Sequence, residues 1–216
     1  MPRAVSLLLA VAFGVASAAC SAGGAPCAGP TCGTGYECLA NRCALAGGVP
    51  VPRDSERLVL SPIELAVATA DHEPSTPEVT LGSAHGGDSF VYARFGSSYK
   101  GRAGVAAAFL LLTVSPGTEP TDDVPLEVWT LAADWSANSI ARGARPGFSR
   151  PMARGIARTS PALPVRVDVT SIVQQFAQSP GDQGIAVVAG GSHGRGVTLV
   201  TAAAGAPRLE VYLARN

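Results

Sequence analysis

Val165–Val188, VRVDVTSIVQQFAQSPGDQGIAVV, is the stretch whose reading decides the fold. Val165, Val167 and Val169 alternate with Arg166 and Asp168, the period of a half-buried strand. Thr170 is placed to cap a short helix in which Ile172, Val173 and Phe176 form one apolar face. Pro180-Gly181-Asp182 breaks that helix, and Ile185-Ala186-Val187-Val188 resumes as a buried strand.

Outward from this strand–helix–strand piece, the chain reads as short apolar runs bounded by turn residues. Leu58–Leu60 and Ile63–Val67 are strands separated at Ser61-Pro62. Val79–Leu81, Phe90–Phe95, Leu126–Leu131, Val197–Thr201 and Leu209–Leu213 follow the same pattern. Val105–Val114, VAAAFLLLTV, is the most apolar run after residue 54 and reads as a central strand. Asp134–Ala141 reads as a turn, Gly143–Pro164 as irregular, and Gly190–Gly196 as a hairpin turn. Many short strands with one helix predict an all-β fold, a jelly-roll β-sandwich over residues 54–216.

Composition agrees. Apolar residues make up 47% and charged ones 15%, enough to build a core. Sixteen basic and sixteen acidic side chains cancel, which argues against a general nucleic-acid binder.

The amino-terminal part has a different character. Met1-Pro2-Arg3 is a short positive start, and Ala4–Ala16 is an apolar run too short to span a bilayer. With Ser17-Ala18-Ala19 it reads as a secretory signal peptide over 1–19. The junction before Cys20 resembles a bacterial lipobox, with Ser17 where an aliphatic residue is usual. That resemblance implies lipid attachment at Cys20 and a membrane partner, and Ser21 resembles an outer-membrane sorting signal. The alternative is ordinary secretion with a free or intermolecular thiol. Five cysteines, an odd number, fit lipidation of Cys20 with pairing among Cys27, Cys32, Cys38 and Cys43. Residues 20–53 are therefore expected to form a small disulfide-rich segment and linker, similar to the EGF-like or knottin-like clusters of bacterial surface lipoproteins. Three connectivities are open, Cys27–Cys38 with Cys32–Cys43 among them. A zinc site is the competing reading, and the spacing lacks the Cys-x2-Cys pairs zinc favours.

Several motifs of the body occur in the order of a known family. Tyr92-Ala93-Arg94-Phe95-Gly96 is followed by Ala108, Leu110 and Leu112, then Trp135-Ser136-Ala137-Asn138-Ser139, Asp168-Val169-Thr170, Gly184-Ile185 and Pro207–Tyr212. In this succession the chain resembles the DNRLRE-type domain, a jelly-roll family grouped with carbohydrate-binding module family 96. Gly96, Ala137 and Phe176 depart from the family pattern. The resemblance implies a bacterial surface or secreted module that binds or displays without catalysis, in some members on acidic polysaccharide.

Candidate chemistry is sparse. Gly190-Gly191-Ser192-His193-Gly194 imitates a hydrolase elbow, but a strand rather than a helix follows, and neither an Asp nor a further His comes after it. No enzyme is expected. His72, His85 and His193 fall in loops far apart in sequence, and no metal site or cofactor is assigned to them. If calcium binds, its oxygen donors are Asp71, Glu73, Asp122 and Asp123. Trp129, Trp135, Phe95 and Tyr212 read as core. Arg142, Arg145, Arg150, Arg154 and Arg158 are a candidate stripe for an anionic glycan, against the alternative of a plain solvated loop. Arg94 is expected to pair with a carboxylate, Asp168 being one candidate. The reading is a lipid-anchored cell-envelope protein, on the outer membrane, with a non-catalytic polysaccharide-binding module. The alternative is a structural or adhesion subunit of an envelope complex.

Overall fold

A computed structural model of the chain describes residues 36–39, 42–45, 55–69, 77–83, 88–102, 104–118, 120–158, 164–179, 182–191 and 196–215. Near the start, β1 (Tyr36–Leu39) and β2 (Arg42–Leu45) form an antiparallel ribbon in which Cys38 and Cys43 are register partners. Cys20, Cys27 and Cys32 lie outside the described residues.

The alternation at 165–168 does what its period demands. In β10 (Val165–Asp168), Val165 and Val167 are buried while Arg166 and Asp168 face outward. β10 pairs with β7 (Val105–Leu112), which also pairs with β13 (Arg208–Ala214), and β13 carries β3 (Ser55–Leu60) at the far edge. The most apolar run thus has a neighbour on each side. The facing sheet has the order β4 (Pro62–Ala68), β6 (Phe90–Phe95), β11 (Ile185–Ala189), β8 (Val124–Leu131), β9 (Phe148–Ala157). A two-stranded ribbon of β5 (Glu78–Leu81) and β12 (Val197–Val200) completes the body.

All these pairings are antiparallel. Without β4 and the ribbon, the two sheets read β3-β13-β7-β10 and β6-β11-β8-β9, and successive strands change sheet except between β8 and β9, as in an eight-stranded jelly roll. The expected fold class is therefore the observed one. Its core lies between the sheets, built from alternate residues of each strand, such as Val91 and Ala93 of β6 and Leu126 and Val128 of β8.

α2 (Thr170–Gln178) buries Ile172, Val173 and Phe176 in that same core, each burial contributing about 1.5–3 kcal/mol. Its cap differs from expectation. Thr170 is the first helical residue, and the Asp168 carboxylate accepts from the Thr170 N–H at 2.9 Å and its hydroxyl at 2.6 Å. The Thr170 hydroxyl oxygen instead accepts from the Ala108 N–H at 2.9 Å, tying the helix to β7.

Three further expectations are corrected. Residues 137–141 form a second helix, α1 (Ala137–Ala141), because Ser136 and Ser139 make a reciprocal capping box. The segment expected to be irregular contains β9, the ten-residue edge strand. Its inward positions are Ala153, Gly155 and Ala157, and a Cβ on Gly155 would stand 2.5 Å from the Val167 side chain. Small residues are required there, and they carry no hydrophobic signal. Finally, Gly190–Gly196 joins β11 to β12, which belong to different sheets, so it is a crossover rather than a hairpin. Gly196 has φ +72°, and a Cβ there would meet the Leu81 carbonyl oxygen at 2.2 Å.

Candidate functional site on the outer face of the five-stranded sheet

Strand alternation puts a second set of side chains on the outside of the five-stranded sheet. On β8, Leu126 and Val128 point inward, so Glu127 and Trp129 must point out. On β6, Phe90, Tyr92 and Arg94 take the outward positions, and on β9 Phe148, Met152 and Arg154 do. Ala186 of β11 sits between Tyr92 and Trp129 in the register. Its small side chain leaves room for larger rings to lean across the sheet.

Five aromatic rings run in succession over this face. Trp135 and Tyr92 have centroids 5.7 Å apart, Tyr92 and Phe90 6.0 Å, Phe90 and Phe148 5.8 Å, and Phe148 and Trp129 5.8 Å. The last two planes are within 15° of parallel. One end of the series is closed. The segment carrying α1 lays Trp135 and Ile140 over Tyr92, Ala66 and Ala68, forming a small core outside the sandwich. The other end is open, with Phe148 41% exposed and Trp129 partly so.

Charged groups frame both ends. At the closed end, Arg94 pairs with Glu64 at 3.2 Å and with Asp134, donates to the Trp135 carbonyl at 3.0 Å, and lies over the Trp135 ring. Glu64 also accepts from the Ala137 N–H at 2.7 Å, and the Trp135 indole donates to the Gln183 carbonyl at 2.7 Å. Arg94 thus has the carboxylate partners expected of it, but they are Glu64 and Asp134. Asp168 serves α2.

At the open end, Glu127 is the focus. Its Oε2 accepts from the Trp129 indole N–H at 3.1 Å, its Oε1 accepts from Arg154 Nε at 3.3 Å, and the same oxygen lies 3.2 Å from Arg154 Nη2 as an ion pair. The indole plane and the guanidinium are therefore held by one carboxylate. Arg154 remains 68% exposed in its side chain, so part of its donor fork faces solvent.

The five arginines read as a stripe do not converge. Arg142 follows α1 and donates to the Asn138 carbonyl at 3.2 Å. Arg145 donates to the carbonyls of Ala144 at 3.1 Å, Thr69 at 3.3 Å and Ile140 at 3.5 Å. Arg150 is exposed in β9, within the irregularity where the register with β8 shifts. Arg154 joins the platform, and Arg158 is exposed just beyond β9. Of the aromatics expected in the core, Trp135, Phe95 and Tyr212 are buried and Trp129 is not. Its place was readable from Glu127, two residues away on the same strand face. Phe148 had no such signal, because its strand was not recognised.

On the outer face of the four-stranded sheet the charged groups pair with one another, while the buried Arg166 Nε has no hydrogen-bond partner. Glu210, 5% exposed, pairs with Arg57 and with Arg166 at 3.1 Å, and accepts from the Tyr212 hydroxyl at 3.2 Å. Arg166 lies 3.9 Å over the Phe109 ring. The hydrogen bond to Glu210 raises the pKa of Arg57.

Beneath α2 a small apolar cleft lies among Tyr99, Ile172, Phe176 and Asp182. Burial pushes both the Tyr99 hydroxyl and the Asp182 carboxyl above their ordinary pKa values. The two meet at 3.4 Å, and Asp182 also accepts from the Gly184 N–H at 2.8 Å. Of the calcium donors considered, Asp122 and Asp123 are exposed, and Asp71 and Glu73 lie outside the described residues, as do all three histidines and Ser192. No group of three metal-ligating side chains occurs among the described residues.

Fold and surface together define a jelly-roll β-sandwich with a half-covered aromatic outer face. Comparison with known proteins finds no family model and no curated protein that matches the chain.

Proposed function

We propose that this chain is a lipid-anchored protein of the bacterial cell envelope, whose jelly roll binds polysaccharide without catalysis. The observation that carries the binding reading is the open end of the ring series. There the near-parallel Trp129 and Phe148 rings sit beside the Glu127–Arg154 pair. A pyranose ring has an apolar C–H face and a polar rim, and it needs an aromatic surface below and hydrogen-bonding groups beside it. Aromatic rings supply contact area at small entropic cost, and the carboxylate and guanidinium supply an acceptor and a donor. The anchor reading rests on the amino-terminal sequence, with lipidation at Cys20 and an outer-membrane address after it.

The two parts are tested separately. Mature chain carrying Cys20→Ser is expected to leave the membrane fraction, and unchanged fractionation refutes the anchor. The same soluble chain is expected to be retained on an immobilised polysaccharide. Trp129→Ala and Phe148→Ala are each expected to weaken retention by about two- to tenfold, on the scale of one aromatic contact. Both residues lie outside the main core, so the melting temperature should change little. Retention by both variants at wild-type strength refutes the platform.

A further inference from the structure

The open end of the platform also bears on which polysaccharide it takes, an inference that rests on the binding reading above. We infer that the ligand is a neutral chain of pyranoses with equatorial hydroxyls, rather than a uronate-bearing one.

Recognition of an acidic chain needs guanidiniums free to meet carboxylates. At this platform the guanidinium at hand, Arg154, is already paired with Glu127, to which its Nε–H donates. Glu127 itself is partly open, with 22% of its side chain exposed, and it is fixed from the other side by the Trp129 indole. A ligand carboxylate reaching for Arg154 would approach the Glu127 carboxylate, and like charges at that range repel. Arg142 and Arg145 direct donors to main-chain carbonyls near α1. Arg150 is a single solvated charge.

A neutral sugar meets none of these obstacles. Equatorial substitution leaves axial C–H bonds on the ring faces, which can lie flat on the exposed Phe148 ring, itself stacked with Trp129. A hydroxyl pair on the rim can donate to Glu127 and accept from the outward N–H groups of Arg154 together, leaving the ion pair intact. Glu127 therefore acts as the selecting residue, cancelling the Arg154 charge and turning acidic chains away.

The test uses the mature chain carrying Cys20→Ser on columns of a neutral β-linked glucan or xylan and of a polyuronate. Wild-type protein should be retained on a neutral column, changing less than about twofold between about 50 mM and about 500 mM salt. It should pass through the polyuronate. Glu127→Gln frees Arg154, so retention on the polyuronate should appear at low salt and vanish at high salt. Arg154→Gln removes part of the donor fork at the rim and should weaken neutral-column retention by about two- to tenfold, still without salt dependence. Salt-sensitive wild-type retention on the polyuronate, abolished by Arg154→Gln, overturns the neutral-ligand inference while leaving polysaccharide binding standing. Passage through every column overturns both.

Discussion

Glu210 shows how much one side chain can organise on the outer face of a sheet. It is nearly inaccessible because Arg57, Arg166 and Tyr212 close over it, and Arg166 is itself seated on Phe109. A buried carboxylate with two cations is costly to break from its own side, since its removal strands a half-buried guanidinium. Glu210→Ala is therefore expected to lower stability by about 2–4 kcal/mol. Arg57→Ala should cost under about 1 kcal/mol, because Arg57 is more than half exposed and Glu210 keeps Arg166. Urea unfolding of the two variants checks the ranking, and equal losses would contradict it. None of this was legible in sequence, where Arg57, Arg166 and Glu210 stand in three separate strands. Arg94 is an instructive half-success. A strand arginine between aromatic residues was correctly expected to pair with a carboxylate, yet only the fold decides that Glu64 and Asp134 lie closer than Asp168.

At the scale of elements, Asp168-Val169-Thr170 is a joint. The Asp168 carboxylate organises the start of α2, while the Thr170 hydroxyl fastens that start to Ala108 of β7. Asp168→Ala removes two hydrogen bonds at a helix start and should cost about 1–2 kcal/mol. Amide exchange in α2 should rise more than in β7, and a uniform rise would argue against a local role. β9 shows the limit of periodicity as a signal. The rule that inward residues are apolar held for β7 and, apart from Thr130, for β8, whose other inward positions are Val and Leu. In β9 the close approach of Val167 limits the inward side to alanine and glycine, so alternation exists without amphipathic contrast. The arginine stripe then looked like a loop, although two of its members, Arg150 and Arg154, stand on a strand.

For the whole molecule, the end of the sandwich under α2 couples stability to pH. Burial holds the Asp182 carboxyl above its ordinary value, against smaller opposing contributions from the Gly184 N–H, Lys100 and Tyr99. The folded state therefore keeps this proton in a window above the ordinary carboxylate pKa, where the unfolded chain has lost it. Stability from this group falls as pH rises through the window and returns on acidification. Asp182→Asn stays neutral throughout and still presents an acceptor to Gly184. It should be more stable than wild type at neutral pH, with the difference closing as pH approaches the ordinary carboxylate value. Unfolding curves across that range check the sign, and a gap that widened on acidification would reverse it.

Alternating valines, glycine and proline breaks and one short amphipathic run sufficed to determine an all-β sandwich with α2 between two of its strands. These signals are local, because burial of one strand face is written every second residue. What only the tertiary structure decided is which strands are neighbours, and hence what lies side by side on their outer faces. Trp129 meets Phe148 because β8 and β9 pair, and Phe90 joins them because Ala186 of β11 is small enough to be crossed. Contacts between residues far apart in sequence leave no trace in local periodicity. The candidate site consists of such contacts.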